Sequence, residues 1–363
     1  MGIAPAGKYA SAPMVLTNPG GEDGSMNSPY CQVEEKRTAF VLSGGASLGA
    51  IQVGMLQALY ERDVEPDLIV GASSGALNGA FIAARPQTVA TTAELADIWI
   101  GLRRGQVFPL NPLTGLFGFA GFRENLVPAS GLERLIARHL TTERLEQLTI
   151  PFHAIATDLR AGTEVRLSKG PLVDAILASA AIPGLLPSVR WDGRELIDGG
   201  VANNTPISHA VELGAQRIYV LSTGDSCELD APPRGALAMV LHAINLLVHR
   251  RLAQDIARYR REVELIVVPP PFPVEVQPMD FGHAKSLIGR ALSASRQFLA
   301  ELDTPSPQRP RDRDAGTVNG RRLPVVCDPL PRRRGGGHAR SYWRANANGT
   351  GRAKTSKDPG EVG

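Results

Sequence analysis

The chain has 363 residues, 43% hydrophobic and 21% charged, which suits one large or two ordinary globular domains and excludes a wholly disordered polymer. Its most apolar stretch, 235–248, carries His242 and Asn245 and is too short to span a bilayer. The formal charge of +3 hides an asymmetry: residues 304–363 hold 13 Lys/Arg against 5 Asp/Glu, so the body is mildly acidic and is not a basic nucleic-acid-binding domain.

In chain order, residues 1–35 are rich in Gly, Pro, Ser and Asn, lack periodicity, and are expected to form a flexible leader. They hold no apolar core of a secretory signal, and Ala6 stands where a myristoylation motif needs Ser or Thr. A periodic body follows, 36–303. Thr38–Leu42 reads as a buried strand, Ala50–Arg62 as a helix, Asp67–Val70 as a strand and Ala76–Ala84 as an Ala-rich helix. Two strand–Gly-rich turn–helix units in succession predict an α/β domain with a mostly parallel sheet. A helix over about Thr91–Leu102 leads into an irregular segment, Phe108–Pro128. Ser130 and Glu133 stand at capping-box spacing before a helix ending near His139. Strands are expected at Phe152–Thr157, Glu164–Leu167, Glu195–Ile197, Arg217–Leu221 and Glu264–Val268. Helices are expected at Leu172–Ala181, Gly235–Leu252 and His283–Leu302, and Asp192-Gly193 reads as a hairpin turn. Residues 304–363 are basic and of low complexity, and are expected to be a disordered tail. Cys31, Cys227 and Cys327 are far apart and form no ligand spacing, which favours a reducing, cytoplasmic setting over a disulfide or zinc scaffold.

Three short motifs carry chemistry. Gly71-Ala72-Ser73-Ser74-Gly75 is a G-x-S-x-G that follows an apolar strand and opens a helix, the setting of a nucleophile elbow. Gly71 and Gly75 suit a tight turn that exposes the Ser73 hydroxyl, whereas a plain helix cap is the bland alternative. Gly44-Gly45-Ala46-Ser47-Leu48-Gly49 follows the first strand and can aim main-chain N–H groups into one space, as an oxyanion needs. It departs from a dinucleotide fingerprint at Ala46 and lacks the lysine of a Walker A loop. Asp198-Gly199-Gly200 ends another apolar strand, so Asp198 is either a turn former or a base. The histidines, 139, 153, 209, 242, 249, 283 and 338, sit in no segment resembling a catalytic loop, which leaves a two-residue machine of Ser73 and Asp198.

The order of these motifs, together with AFVLSGGASLGAIQVGMLQAL, PDLIVGASSGALNGAF and LASAAIPGLLPSVRWDGRELIDGGVANNTPISHAVELGA, resembles the patatin-like phospholipases over about 38–302. The resemblance implies a three-layer α/β/α sandwich, Ser73 as nucleophile and Asp198 as its dyad partner. It also implies oxyanion-hole amides at Gly44, Gly45 and Ala46, with Gly49, Gly71, Gly75, Gly199 and Gly200 as supporting motif glycines. The implied activity is hydrolysis of acyl esters of glycerophospholipids or related lipids, without calcium or any other cofactor. A phospholipid substrate and peripheral membrane contact are the expected partnerships. A non-lipid carboxylesterase or thioesterase and a catalytically silent lipid-binding homologue stand as alternatives. The family's loop usually carries a third Gly and a basic residue where this chain has Ala46 and Leu48; the Ala is harmless to the amide if its φ is negative. Phe108, Phe117, Phe119 and Phe122 crowd one segment, and are expected to fill the core beneath a loop in preference to forming a lid.

Overall fold

The computed structural model describes residues 36–109, 125–224 and 236–303, save 273 and 275, and two-residue strands at Thr317–Val318 and Arg321–Arg322. The leader, Phe117, Phe119 and Phe122, and most of the tail lie outside the described residues.

Eight strands form the main sheet: β1 (Thr38–Leu42), β2 (Leu68–Ala72), β3 (Phe152–Asp158), β4 (Glu164–Leu167), β5 (Val189–Trp191), β6 (Arg194–Asp198), β7 (Arg217–Leu221) and β8 (Glu264–Val268). Hydrogen-bonded neighbours run β5-β6-β3-β2-β1-β7-β8, and β4 also pairs with β3. The β2, β1, β7 and β8 ladders are parallel, as is β2 with β3, while β4, β5 and β6 run antiparallel. Every residue of β1 and β2 is buried, as strands covered on both faces must be.

Period-two alternation divides the core. Phe40, Leu42 and Ile69 face one cluster, while Ala39, Val41, Leu68 and Val70 face the other. On the first face pack helices α1 (Ala50–Tyr60), α2 (Ser74–Ala83), α3 (Val89–Gly101), α5 (Ser130–His139), α6 (Leu172–Ser179) and α10 (Ala284–Asp303). A single-turn α4 (Arg104–Val107) precedes α5. On the second face pack α8 (Ile207–Glu212) and α9 (Ala236–Tyr259), behind a short α7 (Gly200–Asn203). The result is a three-layer α/β/α sandwich, as the family resemblance implies.

Local differences have local causes. Helix α9 runs past Leu252 to Tyr259 because Leu252, Ile256 and Tyr259, at helical spacing, all bury against the sheet. Strand β5, unmarked in the sequence by any long apolar run, forms because Asp192-Gly193 makes the expected hairpin turn, with φ of 46° and 75°. The capping box at Ser130 is not formed: Ala129 is the N-cap of α5, Ser130 lies inside the helix, and no side chain caps the end. Phe108 is buried, as expected, and its ring lies 6.1 Å from that of Phe281.

Helix α1 is buried on nearly all sides because α10 covers the face that the sheet does not. Gly54 permits the close crossing, since a Cβ there would lie 2.3 Å from the Ile288 carbonyl oxygen and 2.6 Å from the Leu292 nitrogen. Gly54→Ala is therefore expected to push the helices apart and lower stability by about 1–3 kcal/mol. A urea titration would show this as a lower midpoint, and an unchanged midpoint would mean that the crossing relaxes freely.

Candidate active site

Strand β3 assembles the site. Ala72, the last residue of β2, pairs with Ile155, and Asp198, the last residue of β6, pairs with the adjacent Ala156. Strand β4 takes the opposite edge of β3 over Ala154–Thr157, so β2 and β6 share one edge and their C-terminal ends meet. The chain then leaves both ends through glycine-tolerant turns. A Cβ on Gly75 would lie 2.3 Å from the Leu42 carbonyl oxygen, and one on Gly199 would lie 2.1 Å from that of Ile155. Either side chain would drive the turn out of the sheet.

Ser73 sits between β2 and α2 with φ 52° and ψ −123°, a conformation that costs a non-glycine residue about 1–3 kcal/mol. Its amide is held by Ser179, through both the carbonyl and the hydroxyl at 3.1 Å, and the Ser179 hydroxyl in turn donates to the Ile155 carbonyl at 2.6 Å. The Ser73 Oγ stands at the N-terminus of the ten-residue α2, where the helix dipole favours negative charge. It donates to Asp198 Oδ2 at 2.7 Å.

Asp198 Oδ1 accepts from the Gly200 amide at 2.7 Å, and the Asp198 carbonyl accepts from Thr157 Oγ1 at 2.9 Å. Burial pushes its carboxyl up to about 6, against the opposing pull of the hydrogen bonds from Ser73 and Gly200. No described histidine bonds to either residue. His209 is bound to Glu164 at 2.8 Å, and His249, a residue of α9, is buried with no hydrogen-bond partner among the described residues.

The glycine-rich loop lies against this pair. A Cβ on Gly44 would come within 2.9 Å of the Ser73 Cβ. Of the three amides expected to face an oxyanion, that of Gly44 is already engaged, donating to the Asn204 carbonyl at 3.1 Å. The amides of Gly45 and Ala46 have no hydrogen-bond partner among the described residues, and Ala46 lines the same pocket as Ser73. Ala46 has φ 50°, so the negative φ that would make alanine harmless there is not adopted: its Cβ sits in the left-handed region that glycine tolerates, at a cost of about 1–2 kcal/mol. Leu48 is fully buried in the larger core and does not line the pocket, so in this chain that position packs the fold. Among the supporting glycines, Gly49 lets the loop lie against Trp99, whose ring a Cβ there would meet at 2.8 Å. A Cβ on Gly71 would meet the Gly75 carbonyl oxygen at 2.4 Å, and one on Gly200 the Asn204 side chain at 2.7 Å.

From Ser73 a pocket of about 750 Å³ opens to solvent, walled by Leu77, Phe81, Trp99, Phe108, Ile136 and Phe281 among other apolar side chains. Ser179 and Thr157, which hold the Ser73 amide and the Asp198 carbonyl, and Asn204, which holds the Gly44 amide, carried no sequence signal. Each acts through a main-chain contact that only the folded arrangement creates.

The family model described as patatin-like phospholipase matches residues 40–211. Patatin-like phospholipase domain-containing protein 7 of Mus musculus is 31% identical over 197 residues, 53% of this chain and 14% of the mouse protein. An uncharacterised NTE family protein of Mycobacterium tuberculosis is 33% identical over 191 residues, 52% of this chain and 50% of that one. The chain thus spans about one seventh of the mouse relative and half of the mycobacterial one. Among solved structures, VipD from Legionella pneumophila superposes with a TM-score of 0.43 at 16% identity, over 74% of this chain and 67% of that one. Residues 40–211, which hold Ser73 and Asp198, thus match the patatin-like phospholipases.

Proposed function

We propose that the protein is a serine acyl hydrolase that cleaves carboxylic ester bonds of glycerolipids through a Ser73–Asp198 dyad. The carrying observation is the 2.7 Å hydrogen bond between a serine held at positive φ and a buried carboxylate, at the base of an apolar pocket. The acyl chain lies along the Trp99 and Phe281 walls, with its ester carbonyl at Ser73. Ser73 Oγ attacks that carbonyl carbon, and its proton passes to Asp198 Oδ2. The carbonyl oxygen, now negative, is held by the free Gly45 and Ala46 amides and the positive end of α2. Collapse expels the alcohol half of the ester, which takes the proton back from Asp198 and leaves an acyl-Ser73. Water then attacks the acyl group with Asp198 again as base, releasing the fatty acid and restoring the serine. Relatives named as phospholipase-domain proteins support the lipid substrate. A pocket walled by Leu77, Phe81, Trp99, Phe108 and Phe281 favours an apolar acyl chain over a small polar ester. The intact hydrogen bond between the two side chains favours an active enzyme over a silent homologue.

Three outcomes test the reading. Ser73→Ala and Asp198→Asn are each expected to lower hydrolysis of phospholipid vesicles and p-nitrophenyl esters by at least about a thousandfold. Wild-type turnover by either purified variant would remove the dyad. Because Asp198 must be ionised to take the serine proton, kcat/KM of the wild type is expected to be flat above pH 7. Below about pH 6 it should fall roughly tenfold per pH unit.

The same carboxylate carries a stability signature. Its folded value, about 6, lies above the unfolded 3.8, so the folded state holds the extra proton and stability falls as pH rises between those values. The loss is about 3 kcal/mol at neutral pH. Asn at 198 removes the buried charge but keeps only one acceptor oxygen, which returns about 1 kcal/mol of that gain. Asp198→Asn is therefore expected to be inactive yet more stable than wild type by about 1–2 kcal/mol at pH 8. Chemical denaturation should show the advantage disappearing at pH 4, and a less stable variant at pH 8 would contradict the assignment of a desolvated carboxylate.

A further inference from the structure

Three buried side chains from three helices form a hydrogen-bonded line beneath the glycine-rich loop. Gln52 of α1 and Asn78 of α2 are almost wholly inaccessible, and Trp99 of α3 is 5% exposed. Gln52 Nε2 donates to the Ser43 carbonyl at 2.8 Å and the Leu221 carbonyl at 3.0 Å. Asn78 Nδ2 donates to the Gly49 carbonyl and to Gln52 Oε1, both at 2.9 Å. Trp99 Nε1 donates to Asn78 Oδ1 at 2.8 Å. The two amide side chains therefore grip the loop at Ser43 and at Gly49, on either side of the Gly45 and Ala46 amides. Without that grip, the left-handed Ala46 has a cheaper conformation available.

Trp99 belongs to two structures at once. Its ring occupies the space beside Gly49 that any Cβ would enter, and it stacks on Phe281, centroids 6.4 Å apart and planes 11° apart, as a wall of the pocket. Each polar atom of the line meets its partner, and each bond fixes the orientation of the next amide, so removing the indole donor frees Asn78 Oδ1 and loosens the whole line.

We propose that Gln52, Asn78 and Trp99 are positioning residues for the Gly45 and Ala46 amides, and that Trp99 couples the acyl-pocket wall to the loop that stabilises the oxyanion. The proposal rests on the ester-hydrolase reading. Trp99→Phe keeps an aromatic wall against Gly49 and Phe281 and removes only the donor. It is expected to lower kcat for a long-chain p-nitrophenyl ester about tenfold, with KM within about twofold. The rate of Ser73 labelling by a fluorophosphonate should fall in step, since the phosphoryl oxygen uses the same amides. Measurements are made per folded molecule, well below each variant's melting temperature. A variant with wild-type kcat and labelling rate but a lower melting temperature would show a purely structural role and overturn the proposal. So would a rise in KM with kcat unchanged, which would make Trp99 a wall alone. Should Trp99→Phe not fold, Asn78→Ser severs the line with Trp99 left in place and is read by the same criteria. A wild-type protein that neither hydrolyses esters nor labels would instead sink the hydrolase reading itself, a result distinguishable from the others because it precedes any variant.

Discussion

Strand β3 accepts two strand ends on one edge, at neighbouring rungs, and the rest of the site depends on that register. Ala72 opposite Ile155 and Asp198 opposite Ala156 leave the two chains nowhere to go but into facing turns, one carrying Ser73 and the other Asp198. A slip of one residue in either ladder would turn one of these side chains to the other face of the sheet, and the 2.7 Å contact between them could not form. Ser179 and Thr157 secure the arrangement from below. One ties the Ser73 amide to β3, and the other ties the Asp198 carbonyl to it.

The site concentrates unfavourable terms that the surrounding core must offset. Ser73 and Ala46 hold positive φ, and Asp198 is a buried acid without a cationic partner among the described residues. None of these would persist in a loop exposed to water. They persist here because the strands and helices that meet at this point are fully packed, because Ser73 and Asp198 are tied at their main chains, and because the loop around Ala46 is held at Gly44 and Gly49. The same desolvation that destabilises the ionised Asp198 brings its affinity for a proton close to what a base working near neutrality needs.

The two core clusters have different relations to the chemistry. The smaller cluster, under α8 and α9, only closes the back of the sheet. The larger one runs without a break into the pocket walls, so Phe108, Ile136 and Phe281 serve as core on one side and as apolar lining on the other. An acyl chain entering there would extend the core. This also accounts for Leu48. At a loop position where a basic side chain is usual in the family, this chain buries an aliphatic one, in keeping with a loop fastened by internal packing and by main-chain bonds through Asn204 and Thr223.

The three layers came from the family resemblance, while legible in the residues themselves were an α/β domain with a mostly parallel sheet, most of the strands, the turn at Ser73 and the carboxylate that hydrogen-bonds to it. These are written in patterns a few residues long: a fully apolar strand running into Gly-x-Ser-x-Gly, another ending in Asp-Gly-Gly, and a hairpin signalled by Asp192-Gly193. The sequence misplaced the capping box at Ser130 and the end of α9 and was silent on the φ of Ala46, because each is set by what packs against the segment. Only the folded arrangement engages Gly44's amide while leaving those of Gly45 and Ala46 without a partner among the described residues. It alone buried Leu48, and it alone brought Gln52, Asn78 and Trp99 into one line. Those facts depend on contacts between residues 9 to 179 positions apart, and short-range pattern carries no information about which distant group will arrive to accept or donate a hydrogen bond.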